Sequence, residues 1–142
     1  MKLVVFVDGA ASGNPGPAGI GVVIATLDGI PLLQCAEPIG EATNNIAEYR
    51  ALLRAIEFLR RWDKPIEHVT ICSDSQLIVR QLRGQYRVQA RPLVPLWEAV
   101  QKELRALGVP ARIEHIPRES NREADRLARL GSRIAAGGVQ AS

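Results

Sequence analysis

TNNIAEYRALLRAIEFLRRW, residues 43–62, is the stretch whose reading decides the fold of this chain. Ala47, Ala51, Leu52, Ala55, Ile56 and Leu59 recur at helical spacing, which predicts a helix over 45–62 with one apolar face. Pro65 stops it. At its start, Asn45-x-x-Glu48 fits a capping box, in which a polar cap and a glutamate three residues on satisfy free backbone N–H groups. Within this window alone Glu48 reads as a capping residue. What surrounds the window offers it a second role.

Upstream, KLVVFV at 2–7 is a continuous apolar run rich in β-branched residues, the pattern of a strand buried on both faces, and it ends on Asp8. GAASGNPGPAG at 9–19 reads as a turn by its glycines and prolines. GIGVVIAT at 19–26 and PLLQCAEPI at 31–39 flank Asp28-Gly29, a hairpin signal. Downstream, HVTICS at 68–73 is a fourth strand running into Asp74, and SQLIVRQLRG at 75–84 a short helix closed by Gly84. LWEAVQKELRAL at 96–107 has helical period, ARIEHI at 111–116 is a fifth strand, and SNREADRLARLGSRIA from 120 forms a last helix. GGVQAS at 137–142 reads as a flexible tail behind a single domain over 1–136. The order β-β-β-α-β-α-α-β-α predicts an α/β fold. Its mixed five-stranded sheet has three antiparallel strands first, strands 1, 4 and 5 parallel, and helices on the faces.

The bulk properties restrict the class. A chain of 142 residues with 46% hydrophobic and 23% charged content suits a soluble globular protein. Its formal charge of +3 leans toward an anionic partner, and arginine supplies most of the cations. Cys35 and Cys72 form no CxxC and no zinc spacing, and read as small buried hydrophobes on strands. The sequence has neither a signal-peptide pattern nor an apolar run of membrane-spanning length, so a cytoplasmic monomer is the simplest expectation.

Four carboxylates fall at particular places. Asp8 and Asp74 end strands 1 and 4, which become neighbours if the crossover through the first helix makes them parallel. Glu48 opens that helix, and Asp125 lies early in the last one. Each has an ordinary explanation: aspartate is common where strands turn, and Asp125 can pair with Arg129 at i,i+4. Four clustered carboxylates without cations would repel one another and take up protons. A pair of divalent hard cations removes that cost, and such pairs form the clamp for in-line phosphodiester displacement.

Long stretches resemble type 1 ribonuclease H: VDGAASGNPGPAG at 7–19, TNNIAEYRALLRAI at 43–56, SDSQLIVRQLRG at 73–84 and NREADRLA at 121–128. The likeness runs essentially end to end and favours the compact members without a long basic protrusion. It implies the ribonuclease H-like fold and hydrolysis of the RNA strand of an RNA/DNA hybrid, leaving 5′-phosphate and 3′-hydroxyl ends. It also implies an acidic tetrad, Asp8, Glu48, Asp74 and Asp125, holding two Mg²⁺ ions, with Mn²⁺ as a substitute. In that pattern Asp8 bridges both ions, Asp125 helps hold the one that activates water, and Glu48 with Asp74 holds the other beside the leaving oxygen. Asn14, Asn44, Asn45 and Gln76 match positions that contact the hybrid's minor groove, and Thr43 offers a hydroxyl to a DNA phosphate. Amides suit that groove because they both donate and accept. Capping and turn formation are the other roles open to Asn14 and Asn45.

The sequence also departs from the pattern. Many members of the family it resembles carry a histidine-bearing loop before the last helix; here the connection is IPRES at 116–120, so His115 reads as a strand residue and Arg118 or Glu119 stands in the loop's place. Arg80, Arg83, Arg87 and Arg91 recur around Tyr86 and would form a phosphate track if they shared a face, although Gly84 interrupts them. Trp62 and Trp97 read as packing residues. Two other classes compete: a non-catalytic duplex-binding module, which gains nothing from clustered negative charge, and a DNA nuclease on the same fold.

Overall fold

The computed structural model describes residues 1–137; apart from Gly137, the tail expected at 137–142 lies outside them. Five strands, β1 Lys2–Ala11, β2 Gly16–Thr26, β3 Pro31–Ala42, β4 His68–Ser73 and β5 Ala111–His115, form one sheet in the order β3-β2-β1-β4-β5. β1, β2 and β3 pair antiparallel, while β1, β4 and β5 run parallel, as the element order predicts. Among the described residues four α-helices flank the sheet: α1 Asn44–Arg60, α2 Gln76–Leu82, α3 Val94–Leu107 and α4 Arg122–Ala135.

The two faces of the sheet are built differently. Leu3, Val5 and Val7 of β1, with Ile20, Val22 and Ile24 of β2, meet Leu52, Ile56 and Leu59 of α1 in the main core. Burial of each such side chain contributes about 1.5–3 kcal/mol. Tyr49 of α1 is also fully buried, its hydroxyl 2.7 Å from Gln81 Oε1, so the polar end is satisfied where α1 crosses α2. α3 packs on α1, and Trp97 donates its indole N–H to the Gln81 carbonyl at 3.0 Å. Trp62 and Trp97 both pack against the core, and Cys72 is buried while Cys35 is half-buried.

On the other face α4 meets the sheet through small residues. A Cβ on Gly19 would stand 2.2 Å from the Ser132 nitrogen, and one on Gly21 would stand 2.1 Å from the Ala124 carbonyl oxygen. This corrects the expectation of an eleven-residue turn at 9–19. β1 runs on to Ala11 and β2 begins at Gly16. Gly9, Gly16 and Gly19 are strand residues admitted for close approach, and Gly9 lies against the Ala47–Glu48 backbone of α1.

The helix start is a second correction. Thr43, not Asn45, is the N-cap of α1, its hydroxyl accepting from the Ile46 N–H at 3.2 Å. Asn45 is the second helical residue, and Glu48 falls beyond the first turn, so no capping box forms. Thr43→Ala should cost about 1 kcal/mol, measured by chemical denaturation.

Candidate active site

The parallel ladder of β1 and β4 ends at the Phe6–Cys72 pair. Asp8 and Asp74 each lie two residues beyond it, so equal register sets them level where the two strands diverge. α1 enters against this point because Gly9 carries no side chain, and Glu48 follows. Asp8, Glu48 and Asp74 thereby offer one carboxylate oxygen each, all within 4.8 Å of one another. The Gly9 N–H is shared, 3.0 Å from Asp8 Oδ1 and 3.2 Å from Glu48 Oε1.

Burial and mutual repulsion disfavour full ionisation of these carboxyls. Burial, with Asp8 only 5% exposed, pushes its carboxyl from 3.8 up to about 7; the hydrogen bond from Glu48 opposes this, and Asp74 and Asp125 add to it. Burial also lifts Glu48 well above the usual carboxylate range, reinforced by the neighbouring Asp8. Asp74 is raised too, by burial first, with the Arg118 guanidinium pulling the other way. Three oxygens that resist simultaneous ionisation form a donor set fit for a hard divalent cation, which would offset the repulsion.

Asp125 stands slightly apart. It lines the same open cleft, about 620 Å³ in volume, and acts on Asp8 and Asp74, but its carboxylate pairs with Arg129 at 3.2 Å. The i,i+4 pairing and a place in the cleft thus coexist in one side chain.

Asn121 is a contributor that the sequence reading passed over inside NREADRLA. It is 1% exposed; its Nδ2 donates to the Val7 carbonyl at 2.9 Å, and its own carbonyl accepts the Asp125 N–H at 3.0 Å. The backbone before Asp8 and the backbone of Asp125 therefore hang on one residue. Its Oδ1 is buried without a partner among the described residues, and a lone asparagine in a helix-start motif gave no signal of this beyond capping.

The amides divide. Asn14 Oδ1 accepts from the Asn44 N–H, and Asn44 Oδ1 accepts from the Ala11 N–H, each at 3.0 Å. Backbone donors fix which end of each amide faces inward, and each Nδ2 keeps its donors uncommitted among the described residues. Asn44 and Asn45 line the cleft, and Asn45 also borders a neighbouring groove with Leu77, Tyr86 and Arg87. Thr43 caps α1, leaving its hydroxyl proton to give. Gln76 is exposed on the first turn of α2, but Ser75 rather than Gln76 lines the cleft.

The shared-face premise for the four arginines fails. α2 ends at Leu82 and Gly84 turns the chain with φ 77°, so Arg87 and Arg91 leave the helix. Arg83 donates to the Ile113 carbonyl at 2.7 and 3.0 Å, a tie between α2 and β5. Arg80 stacks on Tyr86 with its guanidinium 5.1 Å from the ring centroid. His115 is the last residue of β5, as expected, and Arg118, not Glu119, reaches the cleft.

Known proteins share this fold. A family profile described as reverse transcriptase-like matches residues 6–131. The structure of LC11-RNase H1, isolated from compost by a metagenomic approach, is 40% identical with a TM-score of 0.90, covering 95% of this chain and 98% of that one. This chain belongs to the type 1 ribonuclease H family. Among type 1 ribonucleases H, LC11-RNase H1 has also been solved in complex with an RNA/DNA hybrid. A ribonuclease HI of Halobacterium salinarum is 37% identical over 87% of this chain, and a bifunctional protein of Mycobacterium tuberculosis 36% identical over 90%. The chain spans 60% of the halobacterial protein and 35% of the mycobacterial one. Among the described residues, no helix is long and apolar enough to cross a membrane.

Proposed function

We propose that this chain hydrolyses the RNA strand of RNA/DNA hybrids, leaving 5′-phosphate and 3′-hydroxyl ends. The observation that carries the reading is the convergence of Asp8, Glu48 and Asp74 within 4.8 Å, from β1, α1 and the segment just after β4. The hybrid-bound relative supports the choice of substrate. Asp8, Glu48 and Asp74, joined by Asp125, would hold two Mg²⁺ or Mn²⁺ ions. Bound metal supplies Lewis acidity and lowers the pKa of coordinated water, so no side-chain nucleophile is required. The protein's share is positional. Gly9 and Asn121 fix the backbone beneath Asp8 and Asp125, and the Arg118 guanidinium offsets charge at Asp74.

Selection of the hybrid rests on the amides. With their oxygens fixed inward, Asn14 and Asn44 present N–H donors, which suit the 2′-hydroxyl oxygens and base-edge acceptors of a wide minor groove. A pure duplex binder is disfavoured by the same carboxylates, since buried like charges repel a polyanion.

The test compares hybrid, double-stranded RNA and double-stranded DNA with Mg²⁺, with Mn²⁺ and with EDTA. Hybrid cleavage confined to the RNA strand and lost in EDTA is expected. Cutting that persists in EDTA, or equal cutting of a DNA duplex, overturns the proposal.

A further inference from the structure

Outside the carboxylate cluster, a row of exposed arginines lies along α4. Arg122, Arg126, Arg129 and Arg133 fall at i, i+4, i+7 and i+11, which on a helix of 3.6 residues per turn places all four within roughly 60° of arc. All four are exposed, while Ala124, Leu127 and Ala128 bury the opposite face. At 1.5 Å per residue the row is about 16 Å long.

Its arrangement works against the helix that carries it. Solvated helix faces usually set opposite charges at i,i+4; here Arg122 with Arg126 and Arg129 with Arg133 are like-charged at that spacing, which is destabilising. Arg122 also opens the helix, where the macrodipole disfavours a cation. Glu123 pairs with Arg126 at 2.6 Å and Asp125 with Arg129 at 3.2 Å, whereas Arg122 and Arg133 have no ion pair among the described residues. The two existing pairs are solvent-exposed and therefore weak. A surplus of positive charge remains along the row.

The row is also continuous with the site. Arg129 and Arg133 line the carboxylate cleft, and Arg126 and Arg122 extend from them along the outer face of the helix. We propose that α4 is a phosphate track for the cleaved strand, gripping the RNA backbone of a hybrid beside the carboxylates. This rests on the hybrid reading above and names which strand the α4 side holds. Guanidinium forks fit phosphate oxygens, and a row parallel to a helix axis engages consecutive phosphates.

The experiment measures hybrid affinity by fluorescence anisotropy in EDTA, so that no turnover intervenes, across a series of salt concentrations. Arg122→Gln/Arg126→Gln/Arg133→Gln should raise Kd at least about tenfold and flatten the slope of log Kd against log salt by about three, near one for each phosphate released from the row. The corresponding triple lysine variant should keep the wild-type slope. Neutral methylphosphonate linkages in the RNA strand should weaken wild-type binding and leave the glutamine variant unaffected. An unchanged slope in the glutamine variant, equal losses in the lysine variant, or an effect confined to methylphosphonates in the DNA strand would each overturn the track. Failure of the wild-type protein to cleave hybrid in Mg²⁺ would instead sink the enzymatic reading beneath it.

Discussion

Asp8→Asn should abolish hybrid cleavage and, in metal-free buffer, leave the protein more stable at neutral pH than the wild type. The activity loss follows from the place of Asp8 at the centre of the cluster, in reach of Glu48 and Asp74 and acted on by Asp125. Metal polarisation supplies several kcal/mol of transition-state stabilisation, so at 1.36 kcal/mol per decade the loss is on the order of a thousandfold or more. The stability gain has the opposite origin. The Asp8 carboxyl rises from 3.8 to about 7 on folding, mainly through burial. A raised carboxyl stabilises the fold fully below its unfolded value and loses that contribution as pH climbs through its folded value. In EDTA the wild type should therefore weaken between about pH 4 and pH 7, by up to ~4 kcal/mol from this group. Glu48, raised by the same burial, acts in the same direction.

Asparagine at position 8 cannot ionise, yet its side-chain oxygen still accepts the Gly9 N–H, so the local geometry survives. Thermal unfolding in EDTA at pH 5 and pH 7.5 reads the difference. Mg²⁺ should raise the Tm of the wild type at the higher pH and have little effect on Asp8→Asn. A flat wild-type profile in EDTA, together with a variant that still cuts, would show that the cluster carries neither the ionisation cost nor the chemistry assigned to it.

What the sequence made legible was whatever depends on local period and register. The helical spacing from Ala47 to Leu59, the β-branched run before Asp8 and the bounds of 68–73 all survive, because each element's own residues determine whether it can bury a face. The adjacency of Asp8 and Asp74 was legible for the same reason: once β1 and β4 are parallel neighbours, position along the strands settles it. Contacts between distant segments were hidden. Nothing local distinguishes Thr43 from Asn45 as a cap, since both are good caps and the choice depends on where β3 hands over to α1. Arg83 looked like one of a basic run until the Ile113 carbonyl claimed it. The α4 arginines drew no reading of their own from the sequence, because only the cleft beside Arg129 and Arg133 separates them from an ordinary solvated face.

The glycines of β2 are the sharpest case, and Gly21→Ala should be among the most damaging single-methyl substitutions in this chain. Gly21 pairs with Asp8 across the β1–β2 ladder and lies under α4. An added Cβ would stand 2.1 Å from the Ala124 carbonyl oxygen and 2.7 Å from the Ala128 nitrogen. Both are backbone atoms, so no rotamer change relieves the clash and the helix itself must lift. Overpacking of this kind costs about 3 kcal/mol or more, which for a chain of this size lowers Tm by roughly 10 °C. The helix that lifts carries Asp125, next to the first clash, so its carboxylate moves away from Asp8. Cleavage should fall at least tenfold, by the rule that displacements of about 1 Å are costly in positioned sites, even where unfolding curves show the variant fully folded. Gly29→Ala supplies the contrast. Its Cβ would meet nothing within 4 Å, and only its φ of +90° opposes a side chain, so a modest stability loss with unaltered cleavage is expected. If Gly21→Ala melted within a degree or two of the wild type and cut at the same rate, the tight seam between α4 and the sheet would not be what holds Asp125 against Asp8.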